Sequence, residues 1–118
     1  MKTVVLGASP NPDRVSNQAV HRLLAAGHEA VPIGIRRGEI AGLDILLGQP
    51  MIEDVHTITL YLNPQRQEPL YDYILSLRPE RIIMNPGTEN PVLAHLARGK
   101  GIEIEVACTL VMLSLAAY

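Results

Sequence analysis

The chain has 118 residues, 47% of them hydrophobic and 19% charged, with a formal net charge of −2, a balance that is typical of one folded domain. Its charge and its lack of Trp and Phe argue against a nucleic-acid surface, which needs several phosphate contacts and usually stacking aromatic rings. No apolar run approaches the roughly 20 residues that cross a bilayer, and the first residues do not resemble a signal peptide, so we expect a single cytoplasmic domain over residues 1–118 with no membrane segment.

The first predicted element is a short buried strand at residues 2–6. Gly7 then permits a tight turn, and an amphipathic helix begins near Ser16, a favourable N-cap, and stops at Gly27. A strand, a glycine turn and a helix N-terminus form a corner that holds phosphate, because the helix presents unpaired N–H groups and a positive dipole end to an anion. This order of elements predicts a small-molecule nucleotide or coenzyme as the ligand.

The rest of the chain repeats the alternation of strand and helix. We predict strands at residues 29–33, 45–47, 57–62, 81–84 and 103–106. Helices are predicted from Pro69, from Asn90 and from Thr109, the last of them apolar on every side as far as Ala117. This pattern predicts an α/β fold, a three-layer Rossmann-like doubly wound parallel sheet of five to six strands in the order 3-2-1-4-5. The ligand would bind beyond the carboxyl ends of the strands, between the first strand and the strand ending at Leu62.

The residues after the second strand narrow the choice of nucleotide. A dinucleotide fingerprint needs three glycines, of which only Gly7 is present, and a NAD site needs an acidic side chain where this chain has Gly34-Ile35-Arg36-Arg37. Arg36 and Arg37 could instead pair with a phosphate on the ribose, which suits both NADP and coenzyme A (CoA). The alternative is that both arginines are solvated loop charges.

Several segments together resemble a known family, the small stand-alone CoA-binding domain proteins. They are Gly7-Ala-Ser-Pro-Asn-Pro-Asp-Arg-Val-Ser16, Val31-Pro-Ile-Gly34, Arg36-Arg-Gly-Glu-Ile-Ala-Gly42 and Cys108. The family is similar in fold to the nucleotide-binding domain of succinyl-CoA synthetase, and the resemblance covers almost the whole chain. It implies a Rossmann-like protein that binds CoA or an acyl-CoA as an accessory, carrier or sensor protein.

The resemblance also implies which residues hold the ligand. Gly7, Ala8 and Ser9 would hold the diphosphate through backbone and hydroxyl donors, and Asn11, Arg14 and Ser16 would line the same loop. The other candidate binding residues follow later strands and are Gly34, Arg36, Arg37, Asn63, Pro64, Asn85 and Gly87. Near the C-terminus, the Arg-Cys-Pro-Lys pattern of the family is replaced by Ala107-Cys108-Thr109-Leu110, with the loss of two positive charges.

No catalytic or metal-binding residues are predicted. Cys108 follows a strand and precedes a helix, a position that can make a thiol reactive, but a small buried cysteine is the commoner case. The histidines lack the spacing of a zinc site, and the acidic residues have no accompanying nucleophile. We therefore expect a binding protein rather than an enzyme.

Two alternative functions remain open at this stage. One is an NADP-dependent reductase domain that a second chain completes, and the other is a protein-interaction module with a vestigial nucleotide site. The apolar helix after Thr109 bears on the second, because such a helix is either enclosed within the domain or forms a subunit contact. A homodimer is accordingly a possible assembly.

Overall fold

Five parallel strands form the central sheet of the computed structural model, which describes residues 1–118. In chain order the elements are β1 (Lys2–Leu6), α1 (Val15–Ala25), β2 (Glu29–Ile33), β3 (Glu39–Ile40), β4 (Leu43–Asp44), β5 (Thr57–Leu60), α2 (Pro64–Gln67), a 3-10 turn (Glu68–Leu70), α3 (Tyr71–Ser76), β6 (Arg81–Met84), α4 (Pro91–Arg98), β7 (Glu103–Val106) and α5 (Thr109–Ser114). The sheet order is β2-β1-β5-β6-β7. The Rossmann-like fold class is therefore confirmed, and strand order reverses between β1 and β5 as predicted.

Successive strand residues point to opposite faces of the sheet, so each face has its own hydrophobic core. Val4, Ile58 and Ile82 are fully buried on the face that packs against α3 and α4. Val5 is fully buried on the other face, where it belongs to the core formed with Val20 of α1. The three central strands, β1, β5 and β6, are buried on both sides, which explains why they do not alternate apolar and polar residues. The edge strand β7 alternates Glu and apolar residues and is only partly buried.

The predicted third strand at residues 45–47 is wrong in detail. Residues 39–44 form a two-stranded antiparallel hairpin, and Leu46 makes only a single parallel bridge to Ile33. The hairpin forms because Ala41 and Gly42 both adopt positive φ, 51° and 82°, which is the conformation of the tightest two-residue turn. The edge of the sheet next to β2 is therefore covered by a hairpin and a bridge instead of a full strand.

Two helices begin at residues other than the predicted ones. Ser16 is not the N-cap of α1, because the helix begins at Val15 with Arg14 in the cap position and no side-chain cap. The helix after β5 begins at Pro64, not at Pro69, since the Asn63 side chain caps it by accepting a hydrogen bond of 2.9 Å from the Arg66 N–H. An Asn followed by Pro is a strong signal for the start of a helix, and here it starts the helix before the predicted position at Pro69.

The last helix is shorter than predicted and is not enclosed in the domain. It ends at Ser114, and Ala116 adopts a left-handed φ of 53° that stops it before Ala117. Met112 is buried against the domain, whereas Val111 and Leu115 are 52% and 71% exposed. The exposed side leaves the homodimer as a prediction. No helix has the length and hydropathy to cross a membrane.

Candidate ligand-binding cleft

A cleft of about 1150 Å³ opens at the carboxyl ends of the strands, where the loops after β1, β2, β5, β6 and β7 meet. Nine of the predicted binding residues line it: Gly7, Ala8, Ser9, Asn11, Arg14, Ser16, Gly34, Arg36 and Asn85. Four others, Arg37, Asn63, Pro64 and Gly87, do not line it. The cleft lies at the point where strand order reverses, the usual ligand position in open α/β sheets.

The Gly7 turn is held by backbone hydrogen bonds to the end of β2. The N–H groups of Gly7 and Ala8 both donate to the Ile33 carbonyl, at 2.9 Å each, so these two donors are not free for a diphosphate as the sequence suggested. Gly7 has a φ of +97°, and a Cβ there would lie 2.9 Å from the carbonyl carbon of Tyr61. Its role is to let the turn pass close to the chain after β5.

Free donors occur one step further along the loop. The backbone N–H groups of Ser9, Val15 and Ser16 make no hydrogen bond within the protein. Ser16 is largely buried, yet its hydroxyl has no protein partner and remains accessible in the cleft wall. Together with the first turn of α1, these groups place unpaired donors at one corner of the cleft, an arrangement that favours an anion.

All charged residues that line the cleft are arginines: Arg14, Arg36 and Arg66. None of the three forms a salt bridge, and no Asp or Glu lines the cleft. A chain with a net charge of −2 therefore concentrates three unpaired positive charges in one concave surface. Guanidinium groups in this arrangement favour phosphate and carboxylate ligands.

Asn85 lies in the floor of the cleft, but its side chain is hydrogen-bonded to other residues of the protein. It is 2% exposed, and its amide donates to the Thr59 hydroxyl (2.7 Å) and the Leu60 carbonyl (2.8 Å) while its oxygen accepts from the Thr109 N–H (2.9 Å). Both amide hydrogens are thereby used. Asn85 joins β5 to the start of α5 and has only an oxygen lone pair left for a ligand.

Arg66 is the main cleft residue that sequence reasoning missed. It lies at the third position of α2, the helix that begins directly after β5. The Asn63-Pro64 pair was the available signal, since recognising it as a helix start places Arg66 next to the carboxyl end of β5. Leu62 and Leu70 come from the same segment and form an apolar wall near this arginine.

Tyr61 and Cys108 lie on the side of the cleft formed by β5, β6 and β7. Cys108 is partly exposed and lines the cleft, although the sequence favoured a buried cysteine. The Tyr61 hydroxyl is buried without a hydrogen-bond partner. Burial raises the pKa of Tyr61 to about 12, against the lowering effect of the nearby Thr109 and Thr59 hydroxyls.

We expect this tyrosine to make the protein less stable in alkali. The unfolded chain ionises its tyrosine near pH 10, whereas the folded protein holds the pKa of Tyr61 at about 12, so stability present below pH 10 is lost as the pH rises towards 12. The full shift of two pKa units corresponds to about 2.7 kcal/mol of unfolding free energy, of which about 2 kcal/mol is lost by pH 11.5. Urea unfolding of wild type and Tyr61→Phe at pH 9 and pH 11.5 measures how much unfolding free energy each protein loses between the two pH values. The phenylalanine variant should lose less stability, and an identical loss in both would contradict the assignment.

The model of the CoA binding domain family matches residues 1–114. This chain belongs to the CoA-binding domain family. Membership supports CoA binding in general. The three arginines of the cleft fit such a ligand, because CoA carries a diphosphate and a phosphate on its ribose.

Solved structures share the fold of this chain. The crystal structure of an uncharacterized protein is 49% identical, with a TM-score of 0.97, covering 99% of this chain and 97% of its own. A Thermus thermophilus structure is 21% identical with a TM-score of 0.87, covering 99% and 90%. An acetyl-coenzyme A synthetase of Ca. Korarchaeum cryptofilum, solved with phosphate and ADP, is 20% identical with a TM-score of 0.65, covering 87% of this chain and 25% of the synthetase. The last two likenesses show the fold alone. No curated protein matches this chain.

Proposed function

We propose that this member of the CoA-binding domain family binds CoA or an acyl-CoA in the cleft and serves as an accessory, carrier or sensor protein. The observation that carries the proposal is the set of three unpaired arginines in a cleft without a carboxylate. CoA has phosphate charge at two separate places, and a ligand of this kind needs positive groups spread along its length.

The diphosphate would lie against the loop after β1. The N–H groups of Ser9, Val15 and Ser16 are free and their residues line this corner, together with Arg14, whose charge is unpaired. The start of α1, an 11-residue helix, adds the positive end of its dipole. These donors replace the Gly7 and Ala8 N–H groups as the diphosphate contacts.

The ribose phosphate would lie beyond the end of β2, next to Arg36. Arg36 lines the cleft, whereas its neighbour Arg37 is exposed outside it. The absence of an acidic residue at this place disfavours NAD, whose ribose hydroxyls need a carboxylate acceptor. NADP carries a comparable phosphate, and the reductase alternative therefore enters the test below as a competing ligand.

The experiment compares CoA, dephospho-CoA and NADP by calorimetric titration against wild type, Arg36→Gln and the matched control Arg37→Gln. A charge-assisted phosphate contact contributes about 1.5–3 kcal/mol, so Arg36→Gln should weaken CoA by at least about tenfold. Dephospho-CoA should bind wild type and Arg36→Gln equally. Arg37→Gln should bind CoA like wild type, because its side chain lies outside the cleft.

Two outcomes would overturn the proposal. If wild type binds NADP more tightly than CoA, the ligand is a dinucleotide and the reductase alternative replaces CoA binding. If wild type binds none of the three ligands, the nucleotide site is vestigial and the interaction-module alternative stands. Equal binding of CoA and dephospho-CoA would remove only the role of Arg36.

A further inference from the structure

Cys108 lines the cleft but has no part in the proposed binding of phosphates. It is the single cysteine of the chain, and its thiol is free and partly exposed. The thiol is therefore accessible from the space that a bound CoA would occupy. CoA itself ends in a thiol, so the question is whether the two sulfur atoms can meet.

The other end of the ligand is placed by the corner of the cleft after β1. Ser16 is only 5% exposed, yet its hydroxyl has no hydrogen-bond partner in the protein and remains accessible from the cleft. A buried polar side chain without a protein partner indicates a ligand atom at that place. Arg14, with its unpaired charge, lines the same corner. These groups are independent of Cys108, and they set the position of the diphosphate.

The cleft runs without interruption from this corner to Cys108. Each loop on the way contributes to its lining: Ser16 follows β1, Leu62 follows β5, Pro86 follows β6 and Cys108 follows β7. In the sheet order, β1 and β7 are three strand spacings apart. At about 4.8 Å for each spacing, the ends of these two strands are separated by about 14 Å.

The arm of CoA has a length that fits this separation. About 13 bonds join its diphosphate to its sulfur, which equals a little over four residues of polypeptide, and an extended chain of that length reaches about 15 Å. An arm that starts beside Ser16 therefore reaches Cys108 when it is nearly extended. The ends of β5 and β6 lie closer to the diphosphate, so the sulfur would reach them only if the arm folded back.

We propose that Cys108 captures bound CoA as a mixed disulfide, so that the cleft is a redox-sensitive CoA site. This inference rests on the proposed function, because it needs the diphosphate in its corner. The co-reactant is the disulfide of CoA. The Cys108 thiolate attacks the sulfur of the bound half, the S–S bond breaks, and the other half leaves as a thiolate that takes up the proton lost by Cys108. Cys108 is thereby oxidised, and the CoA that leaves is reduced.

The test compares CoA disulfide with pantethine, which has the same arm and the same disulfide but no nucleotide. Intact-protein mass spectrometry follows the adduct, and any adduct that a reducing agent removes is at Cys108, because the chain has no other cysteine. At equal micromolar concentrations, CoA disulfide should react at least about tenfold faster, since binding in the cleft raises the effective concentration of its sulfur towards the millimolar range.

Two controls show whether this advantage comes from the cleft. The 3′-phosphate of ADP, which has the nucleotide but no arm, should slow the reaction of CoA disulfide to the rate of pantethine and leave the pantethine rate unchanged. Arg14→Gln should slow the reaction of CoA disulfide, whereas Arg37→Gln should not, because Arg37 lies outside the cleft. Both arginines are exposed, and thermal unfolding of each variant checks that the fold is intact.

The opposite results separate this inference from the proposed function. If wild type binds CoA in calorimetry but reacts equally fast with both disulfides, Cys108 does not capture CoA and the proposed function stands. An advantage of CoA disulfide that the competing nucleotide does not remove arises outside the cleft and also overturns the inference. If wild type neither binds CoA nor prefers its disulfide, the proposed function and this inference fail together.

Discussion

Replacing Gly34 by alanine is expected to destabilise this protein more than any other glycine-to-alanine change in the chain. A Cβ at Gly34 would overlap the Ala8 carbonyl oxygen and press on the Ile45 side chain. The Gly34 N–H donates to the Leu46 carbonyl at 2.9 Å, so the residue is held where the clash occurs. Overpacking against a side chain costs about 1–3 kcal/mol, and a backbone atom can relax less, so we expect about 3 kcal/mol or more.

The matched control is Gly27→Ala. Gly27 has a φ of +86° but nothing within 4 Å of a new Cβ, so this variant suffers backbone strain of about 1 kcal/mol without a clash. Urea unfolding of both variants measures the difference. A Gly34→Ala protein as stable as Gly27→Ala would show that the loops after β1 and β2 can separate, and that the wall of the cleft is not rigid.

Replacing Asn85 by leucine should cost about 3 kcal/mol or more of stability, although leucine has a similar volume. The change leaves the Leu60 carbonyl and the Thr109 N–H without these buried partners, at about 1–3 kcal/mol for each orphaned group. Hydrogen–deuterium exchange should show α5 losing protection first, since Asn85 holds its first N–H.

Asn63→Ala serves as the comparison for Asn85→Leu. Asn63 is exposed and makes one capping bond, so its loss should cost about 1 kcal/mol. If Asn85→Leu costs no more than Asn63→Ala, Asn85 does not join β5 to α5, and its amide would be available to a ligand as the sequence first suggested.

The sequence by itself determined the class of fold and the family to which the chain belongs. Strand-length apolar runs alternate with amphipathic helices along the whole chain, and this periodicity is a local property that leads to a parallel sheet with crossovers. Gly7 between the first strand and helix α1 indicated where an anion would bind. The segment from Gly7 to Ser16 carried the family resemblance that the match to residues 1–114 confirmed.

Only the tertiary structure decided which residues at that site are free to act. The Ile33 carbonyl, remote from Gly7 in sequence, takes both N–H groups that the turn was expected to offer. Arg36 and Arg37 are neighbours with the same chemistry, and the loop that holds one in the cleft and the other outside it is pinned by bonds of Gly34 to Leu46 and of Gly38 to Ile45. Such bonds join residues whose proximity arises from packing, so no local pattern reports them.

Long-range packing also explains why the sequence did not reveal the hydrogen bonds of Asn85 or the position of Arg66 in the cleft. An asparagine after a strand has the same local signature whether its amide faces a ligand or, as here, bridges two elements that meet only in the folded sheet. Arg66 became a cleft residue because β5 ends beside β1, a neighbour far away in the chain. Residue types and periodicity therefore determined what this chain can build, and long-range packing decided which donors and charges remain unpaired for a ligand.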